Sequence, residues 1–245
     1  MQTIVLLGAS GSIGSQTISI LEKNPNDFTL LGFSVGSRTR IISSLVSSFP
    51  SIKAICVKDN KKINYYSKKY PNIRFFSGDQ GLLDLISYTK PEMVVNALVG
   101  FVGLKPTLFA LEQDIKVALA NKEALVVGGE LVNKLLREGH GKIFPIDSEH
   151  SALWKCLSID SDNVDKLIIT ASGGAFRKLS RNELASVTPE DALKHPTWKM
   201  GNKITIDCAT MVNKSFEIIE AYYLFGYKYN QIEVLLHDES YIHSM

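Results

Sequence analysis

Short apolar runs alternate with amphipathic stretches over the first 146 residues. Residues 4–7, 29–34, 54–57, 73–76, 93–98, 116–120 and 142–146 have the length and apolar content of strands. Between them, residues 14–23, 39–48, 104–112 and 123–138 repeat apolar positions at helical spacing. Strands alternating with helices predict βαβ units and a parallel sheet, joined by right-handed crossovers. The rhythm changes after residue 147. A strand at 166–171 leads into Ser172-Gly173-Gly174, and an irregular polar segment runs to Gly201. A second strand at 203–207, a helix at 211–225 and a last strand at 233–237 follow. The expected fold is α/β: a doubly wound parallel sheet over residues 1–146, then a second α/β layer over 147–245 carrying a long loop. Residues 241–245 read as the start of another strand, so the sequence is expected to continue past Met245.

Composition narrows the function without naming it. A 45% hydrophobic, 21% charged chain with net charge +2 is ordinary for a globular protein and offers no basic face for nucleic acid. No apolar segment approaches the roughly 20 residues that span a bilayer. Cys56, Cys156 and Cys208 lie far apart and form no CxxC pair, which argues against a disulfide framework or a zinc site and fits the cytoplasm.

The first strand runs into Gly8-Ala9-Ser10-Gly11-Ser12-Ile13-Gly14 and then a helix. Glycines at this spacing let the backbone turn tightly and approach a pyrophosphate resting on the helix N-terminus. A glycine motif alone is weak; its place between strand and helix of the first βαβ unit is what points to a dinucleotide. An NAD site would carry an acidic residue after the second strand. Here the chain has Gly36-Ser37-Arg38-Thr39-Arg40, with no carboxylate, so NADPH is favoured.

Carboxylates collect in the second part. Asp147-Ser148-Glu149-His150 follows a strand, at the end of a parallel sheet where ligands gather. Two carboxylates two residues apart suit Mg²⁺ or Mn²⁺, which prefer oxygen ligands. Taken alone, the same residues read more readily as a helix N-cap, Asp147 or Ser148 capping with Glu149 in the first turn. Asn213, Lys214 and Glu217 fall within about one helical turn, so one face could offer phosphate donors and a third carboxylate. Ser172-Gly173-Gly174 could cradle a phosphate. Asn121-Lys122-Glu123 follows another strand, where Lys122 could polarise a substrate oxygen. His195-Pro196-Thr197-Trp198-Lys199-Met200-Gly201 has the composition of a lid, although Trp198 could simply pack in the core. His150, His237 and His243 read as structural.

These segments, in this order and spacing, resemble the 1-deoxy-D-xylulose 5-phosphate reductoisomerase family over essentially the whole chain. The resemblance implies NADPH-dependent isomerisation and reduction of a small sugar phosphate, on the non-mevalonate route to isoprenoids. It implies Ser10, Gly11, Ser12, Ile13, Gly36, Ser37, Arg38, Asn121, Glu123 and Gly201 as NADPH contacts. Asp147, Glu149 and Glu217 would hold Mg²⁺ or Mn²⁺. Lys122, Ser148 and Glu149 would face the reacting end of the substrate. Ser172, His195, Trp198, Asn213, Lys214 and Glu217 would surround the rest of it, with Lys122, Glu149 and His195 catalytic. The implied assembly is a cytoplasmic homodimer. Cys208 stands where the family usually has a phosphate-contacting serine, and Ser215 where it usually has glycine. The family's C-terminal helical domain is not in this chain. The rival readings are a truncated NADPH-binding paralogue without turnover and an NADP-linked oxidoreductase of homoserine-dehydrogenase-like type.

Overall fold

The computed structural model describes residues 1–161 and 163–245. The chain forms two compact units, Met1–Phe144 and Pro145–Met245.

In the first unit, seven strands alternate with six helices. The order is β1 Gln2–Leu7, α1 Ser12–Lys23, β2 Phe28–Val35, α2 Ile42–Ser48, β3 Ala54–Val57, α3 Ile63–Lys69 and β4 Arg74–Ser77. Then follow α4 Gly78–Thr89, β5 Met93–Asn96, α5 Leu104–Glu112, β6 Lys116–Leu119, α6 Lys122–Arg137 and β7 Lys142–Pro145. The strands lie in the order β4-β3-β2-β1-β5-β6-β7. Every neighbouring pair from β4 to β6 is parallel, as the alternation predicts. Val5, Leu6 and Leu7 of β1 are wholly buried, the signature of a strand covered on both faces. Each large side chain of this kind contributes about 1.5–3 kcal/mol through burial. Strand order reverses at β1, between β2 and β5, which opens a crevice beyond the carboxyl ends of β1 and β5.

The second unit contains α7 Ser148–Ile159, β8 Leu167–Ala171, α8 Pro189–Ala192, α9 Asn202–Ala209, α10 Val212–Phe225 and β9 Ile232–Leu236. β8 and β9 pair in parallel, Leu167 opposite Ile232 through Ala171 opposite Leu236. Leu153 of α7 and Ala221 of α10 pack with Leu167, Ile169 and Ile232 to form its core. The residues expected to begin a strand do bond to β8: Ile168 N donates to Met245 O (2.6 Å) and Met245 N to Ile168 O (2.9 Å).

One expected element is wrong. Residues 203–207 are not a strand but part of α9. Ile204-Thr205-Ile206 imitates β alternation, yet the polar residues around it are spaced for a helix. Lys203 pairs with Asp207 at i,i+4 (2.7 Å), and Thr205 Oγ1 donates to Gly201 O one turn earlier (2.9 Å). α9 also lies against Gly174, where a Cβ would overlap the Cys208 carbonyl oxygen. Only glycine permits that approach.

Candidate functional site

The first unit builds a turn with no room for side chains. Gly8 closes β1 at φ +86°, a conformation that strains any residue with a Cβ, and a Cβ there would meet Ala97 O at 2.5 Å. A Cβ on Gly14 would overlap the Gly8 carbonyl oxygen, so α1 can begin directly against the turn only because this position is glycine. Ser34 of β2 pins the turn: Gly8 N donates to its Oγ and Ala9 N to its carbonyl oxygen, each at 2.9 Å. α1 starts at the N-cap Gly11 without a side-chain cap, so backbone N–H groups of Ser12 and Ile13 are directed out of the helix end, beside Ser10. This close-approach backbone fits a pyrophosphate. Beyond β2, Gly36, Ser37 and Arg38 are exposed.

Asn121 is buried at the start of α6. Its Nδ2 donates to Leu98 O (3.0 Å) and Gly100 O (2.9 Å), fastening the loop after β5, and reaches Glu123 Oε2 at 3.1 Å. Lys122, the first residue of α6, is 7% exposed. Gly201 lies in the second unit, as the exposed N-cap of α9.

In the second unit three carboxylates converge. Asp147 caps α7, Oδ1 accepting from Ser148 N at 2.9 Å, so the capping reading of this segment holds locally. Glu149 sits in the first turn and accepts from Ser148 Oγ at 2.8 Å. Glu217 comes from α10 and is 1% exposed. One oxygen of each lies within 4.8 Å of the others. Carboxylates this close repel unless a cation joins them. Lys214 supplies one positive charge: its Nζ is 2.5 Å from Glu217 Oε2, 3.1 Å from Glu149 Oε1, and donates to Thr170 O at 2.6 Å. Burial works against the ammonium, but Glu217 and then Glu149 outweigh it and raise its pKa. Asn213 Nδ2 donates to the other oxygen of Glu217 at 2.5 Å. An all-oxygen set with a partly open side at Asp147 and Glu149 fits a hard divalent cation that keeps some of its waters.

Two histidines read as structural from sequence fall in this cluster. His243 Nε2 lies 2.7 Å from Ser148 Oγ and 3.8 Å from Glu149 Oε2. No local pattern marks it; the fold of the last residues onto β8 brings it there. His150 is wholly buried, with Nε2 donating to Glu217 O at 2.9 Å. Its Nδ1 lies 3.4 Å from Glu220 Oε2 and 3.7 Å from Asp147 Oδ2. Burial disfavours its charged form, but Glu220 and then Asp147 overcome this and raise its pKa to about 9. The spacing Asp147/His150 and Glu217/Glu220 at i,i+3 was a legible signal for this second group.

The two glycines after Ser172 and the 195–200 segment line two different cavities, and Ser172, Cys208, Asn213 and Lys214 are not in the lining of either. Ser172 follows β8 and accepts from Arg177 Nη1 through its carbonyl oxygen (2.6 Å). Gly173, Gly174, Arg177, Thr210 and Met211 line a cavity of about 560 Å³. His195, Trp198, Lys199 and Met200 line another of about 340 Å³. His195 Nδ1 accepts from Thr197 N (3.2 Å) and Trp198 N (2.9 Å). Burial, then the Arg177 charge, lower its pKa against a hydrogen bond with the Gly173 backbone. Trp198 is 46% exposed rather than packed into the core, its ring edge-on to His243 at 6.4 Å. Cys208 is half-buried on α9, and Ser215 is exposed on α10, donating through Oγ to Met211 O at 3.3 Å.

Similarity to known proteins agrees with the motifs. The chain is 47% identical to the 1-deoxy-D-xylulose 5-phosphate reductoisomerase of Macrococcus caseolyticus and covers 65% of that protein. It is 44% identical to the Listeria welshimeri protein of the same name, covering 64% of it. In both, all of this chain is aligned; it thus spans a little under two thirds of their length. Among solved structures, a DOX-P reductoisomerase in complex with NADPH, fosmidomycin and magnesium superposes over the whole chain and 63% of its own, with TM-score 0.91 and 38% identity. The Zymomonas mobilis 1-deoxy-D-xylulose 5-phosphate reductoisomerase in complex with NADPH does so with TM-score 0.90 and 36% identity, over the same shares. A hyperthermophilic archaeal homoserine dehydrogenase reaches TM-score 0.55 at 13% identity over 92% of this chain and 70% of its own, a likeness of fold alone. Residues 143–225 match the 1-deoxy-D-xylulose 5-phosphate reductoisomerase C-terminal domain. Residues 4–129, just over half the chain, match the 1-deoxy-D-xylulose 5-phosphate reductoisomerase family, and to that family the chain belongs.

Proposed function

We propose that this chain carries the NADPH-binding and catalytic parts of an enzyme that isomerises and reduces 1-deoxy-D-xylulose 5-phosphate to 2-C-methyl-D-erythritol 4-phosphate, on the non-mevalonate route to isoprenoids. The observation that carries the reading is the convergence of Asp147, Glu149 and Glu217 on one point beside Lys214. A dinucleotide turn alone would serve many oxidoreductases; this trio of carboxylates is what a metal-assisted rearrangement adds. The relatives solved with NADPH and magnesium support both cofactors.

Residues 1–146 are assigned to NADPH. Ser10, Gly11, Ser12 and Ile13 would offer backbone and hydroxyl donors to the pyrophosphate. Gly36, Ser37 and Arg38 would receive the 2′-phosphate, where an acid would repel it. Asn121, Glu123 and Gly201 complete the assigned contacts. Residues 147–245 are assigned to cation and substrate, Asp147, Glu149 and Glu217 being the cation's ligands. A bound Mg²⁺ or Mn²⁺ supplies Lewis acidity toward adjacent substrate oxygens. Lys122 would donate from its ammonium to a substrate oxygen, and Ser148 from its hydroxyl. Ser172, Asn213 and Lys214 would donate to the phosphate, with Cys208 where the family usually has a serine donor. His195 and Trp198 would close over the substrate and exclude water. The proposed setting is a cytoplasmic homodimer, the first supported by cysteines without a pairing pattern and the second by the family resemblance.

NADPH oxidation by the full-length protein tests the reading. Turnover should require substrate and Mg²⁺ or Mn²⁺ and stop on chelation. Full turnover in the presence of excess chelator would contradict it.

A further inference from the structure

We propose that His150 and Glu220 are positioning residues that hold Asp147 and Glu217 in the arrangement a divalent cation requires. The inference rests on the reading of Asp147, Glu149 and Glu217 as cation ligands and extends it to two residues behind them.

The geometry centres on one imidazole. His150 lies on α7, three residues after Asp147, and Nδ1 is 3.7 Å from Asp147 Oδ2. Its other nitrogen donates to the main-chain oxygen of Glu217 on α10, at 2.9 Å. A single ring therefore touches the side chain of one proposed ligand and the backbone of another, across two helices. Glu220 stands behind it, three residues after Glu217, with Oε2 3.4 Å from Nδ1. Both His150 and Glu220 have no exposed surface.

Packing alone does not account for this choice of residues. His150 stacks on Phe225, ring centroids 6.2 Å apart and planes 19° from parallel, so an apolar ring would fill the same space. Burying a carboxylate and an imidazole instead costs several kcal/mol of desolvation per charged group. What the polar pair adds is direction. Asp147 Oδ1 accepts from the Ser148 amide, and Oδ2 lies 3.7 Å from His150 Nδ1, an ion-pair separation that biases where this carboxylate points. Residues behind metal ligands commonly act this way, and losing them typically weakens metal binding about 10–100-fold.

Asp147, His150 and Glu220 also have ligand atoms within 4.8 Å of one another, so the group could in principle hold a cation itself. Counting bound ions separates the two roles. The positioning role requires one cation per chain.

The test is Mn²⁺ titration of the full-length protein, free Mn²⁺ being read by electron paramagnetic resonance without NADPH or substrate. Wild type should bind one Mn²⁺ per chain. His150→Phe, which keeps the ring volume, should bind it about 10–100-fold more weakly, with NADPH affinity unchanged. If that variant is too unstable, His150→Phe combined with Glu220→Leu removes both polar partners together, which costs less than stranding one. The double variant should fold and show the same weakened Mn²⁺ binding. Wild-type Mn²⁺ affinity in either folded variant would overturn the proposal, as would two Mn²⁺ per wild-type chain. Failure of the underlying reading is distinguishable: wild type would then bind no Mn²⁺, or Glu217→Gln would bind it as wild type does.

Discussion

Lys214 and Glu149 form an ion pair 3.1 Å long that joins α10 to the first turn of α7. The same ammonium holds Glu217, so one lysine neutralises part of the charge that three clustered carboxylates create. A divalent cation held by the proposed ligands would compete with this ammonium for the same oxygens. Lys214→Gln should therefore tighten Mn²⁺ binding in the absence of substrate, by about tenfold or more given like charges this close. The same variant should raise KM, because the proposed phosphate donor is gone. Calorimetric Mn²⁺ titration checks the first effect; unchanged or weaker binding would show that the lysine does not oppose the cation.

The turn after β1 makes a prediction about the cofactor. NADPH should bind far more tightly than NADH, since residues 36–40 lack the acid that bonds a free ribose hydroxyl. Gly14→Ala should weaken both, because the added methyl collides with the Gly8 carbonyl oxygen and pushes α1 away from the turn. Fluorescence titration reads both affinities. Equal affinity for the two nucleotides in wild type would contradict the assignment.

His195 gives a pH prediction with a fixed sign. Its Nδ1 accepts two backbone N–H groups, so protonation there must break both bonds. Burial and Arg177 lower its pKa below the ordinary 6.5. A histidine with a depressed folded pKa contributes stability above its unfolded pKa and loses it as pH falls through the folded one. The 195–198 turn should hence loosen only below pH 6.5. The imidazole chemical shift should titrate with a midpoint under that value; a midpoint at or above it would contradict the prediction.

Cys208 tests the phosphate assignment. A hydroxyl donates a stronger hydrogen bond than a thiol. If the side chain serves the phosphate, Cys208→Ser should lower KM by an amount equivalent to about 0.5–1.5 kcal/mol, with NADPH affinity unchanged. If it serves only as a small half-buried hydrophobe, the melting temperature falls and KM stays put.

The first unit was legible because its signals are local. β1 is a continuous apolar run, and the glycines that follow are required by backbone collisions that any reader of turns can anticipate. α9 does not show as a helix in the sequence because Ile204-Thr205-Ile206 alternates as a strand does, while the Lys203–Asp207 pair that supports a helix spans a full turn. The three carboxylates stand out in the sequence because two share a strand end and the third stands beside Asn213 and Lys214. His243 was not legible, since it reaches Ser148 only through contacts 95 residues apart in sequence. The pairing of Lys214 with the carboxylates was equally hidden, for spacing on α10 alone does not show what faces it from α7.

The central claim is that Asp147, Glu149 and Glu217 act together to hold the cation on which turnover depends. Its most direct test is Mn²⁺ affinity and Mn²⁺-dependent NADPH oxidation measured side by side on full-length Glu217→Gln. The account predicts that this one exchange, which keeps the side chain's size, abolishes turnover and weakens Mn²⁺ binding while NADPH affinity holds. Normal turnover with normal Mn²⁺ affinity in that variant would contradict it.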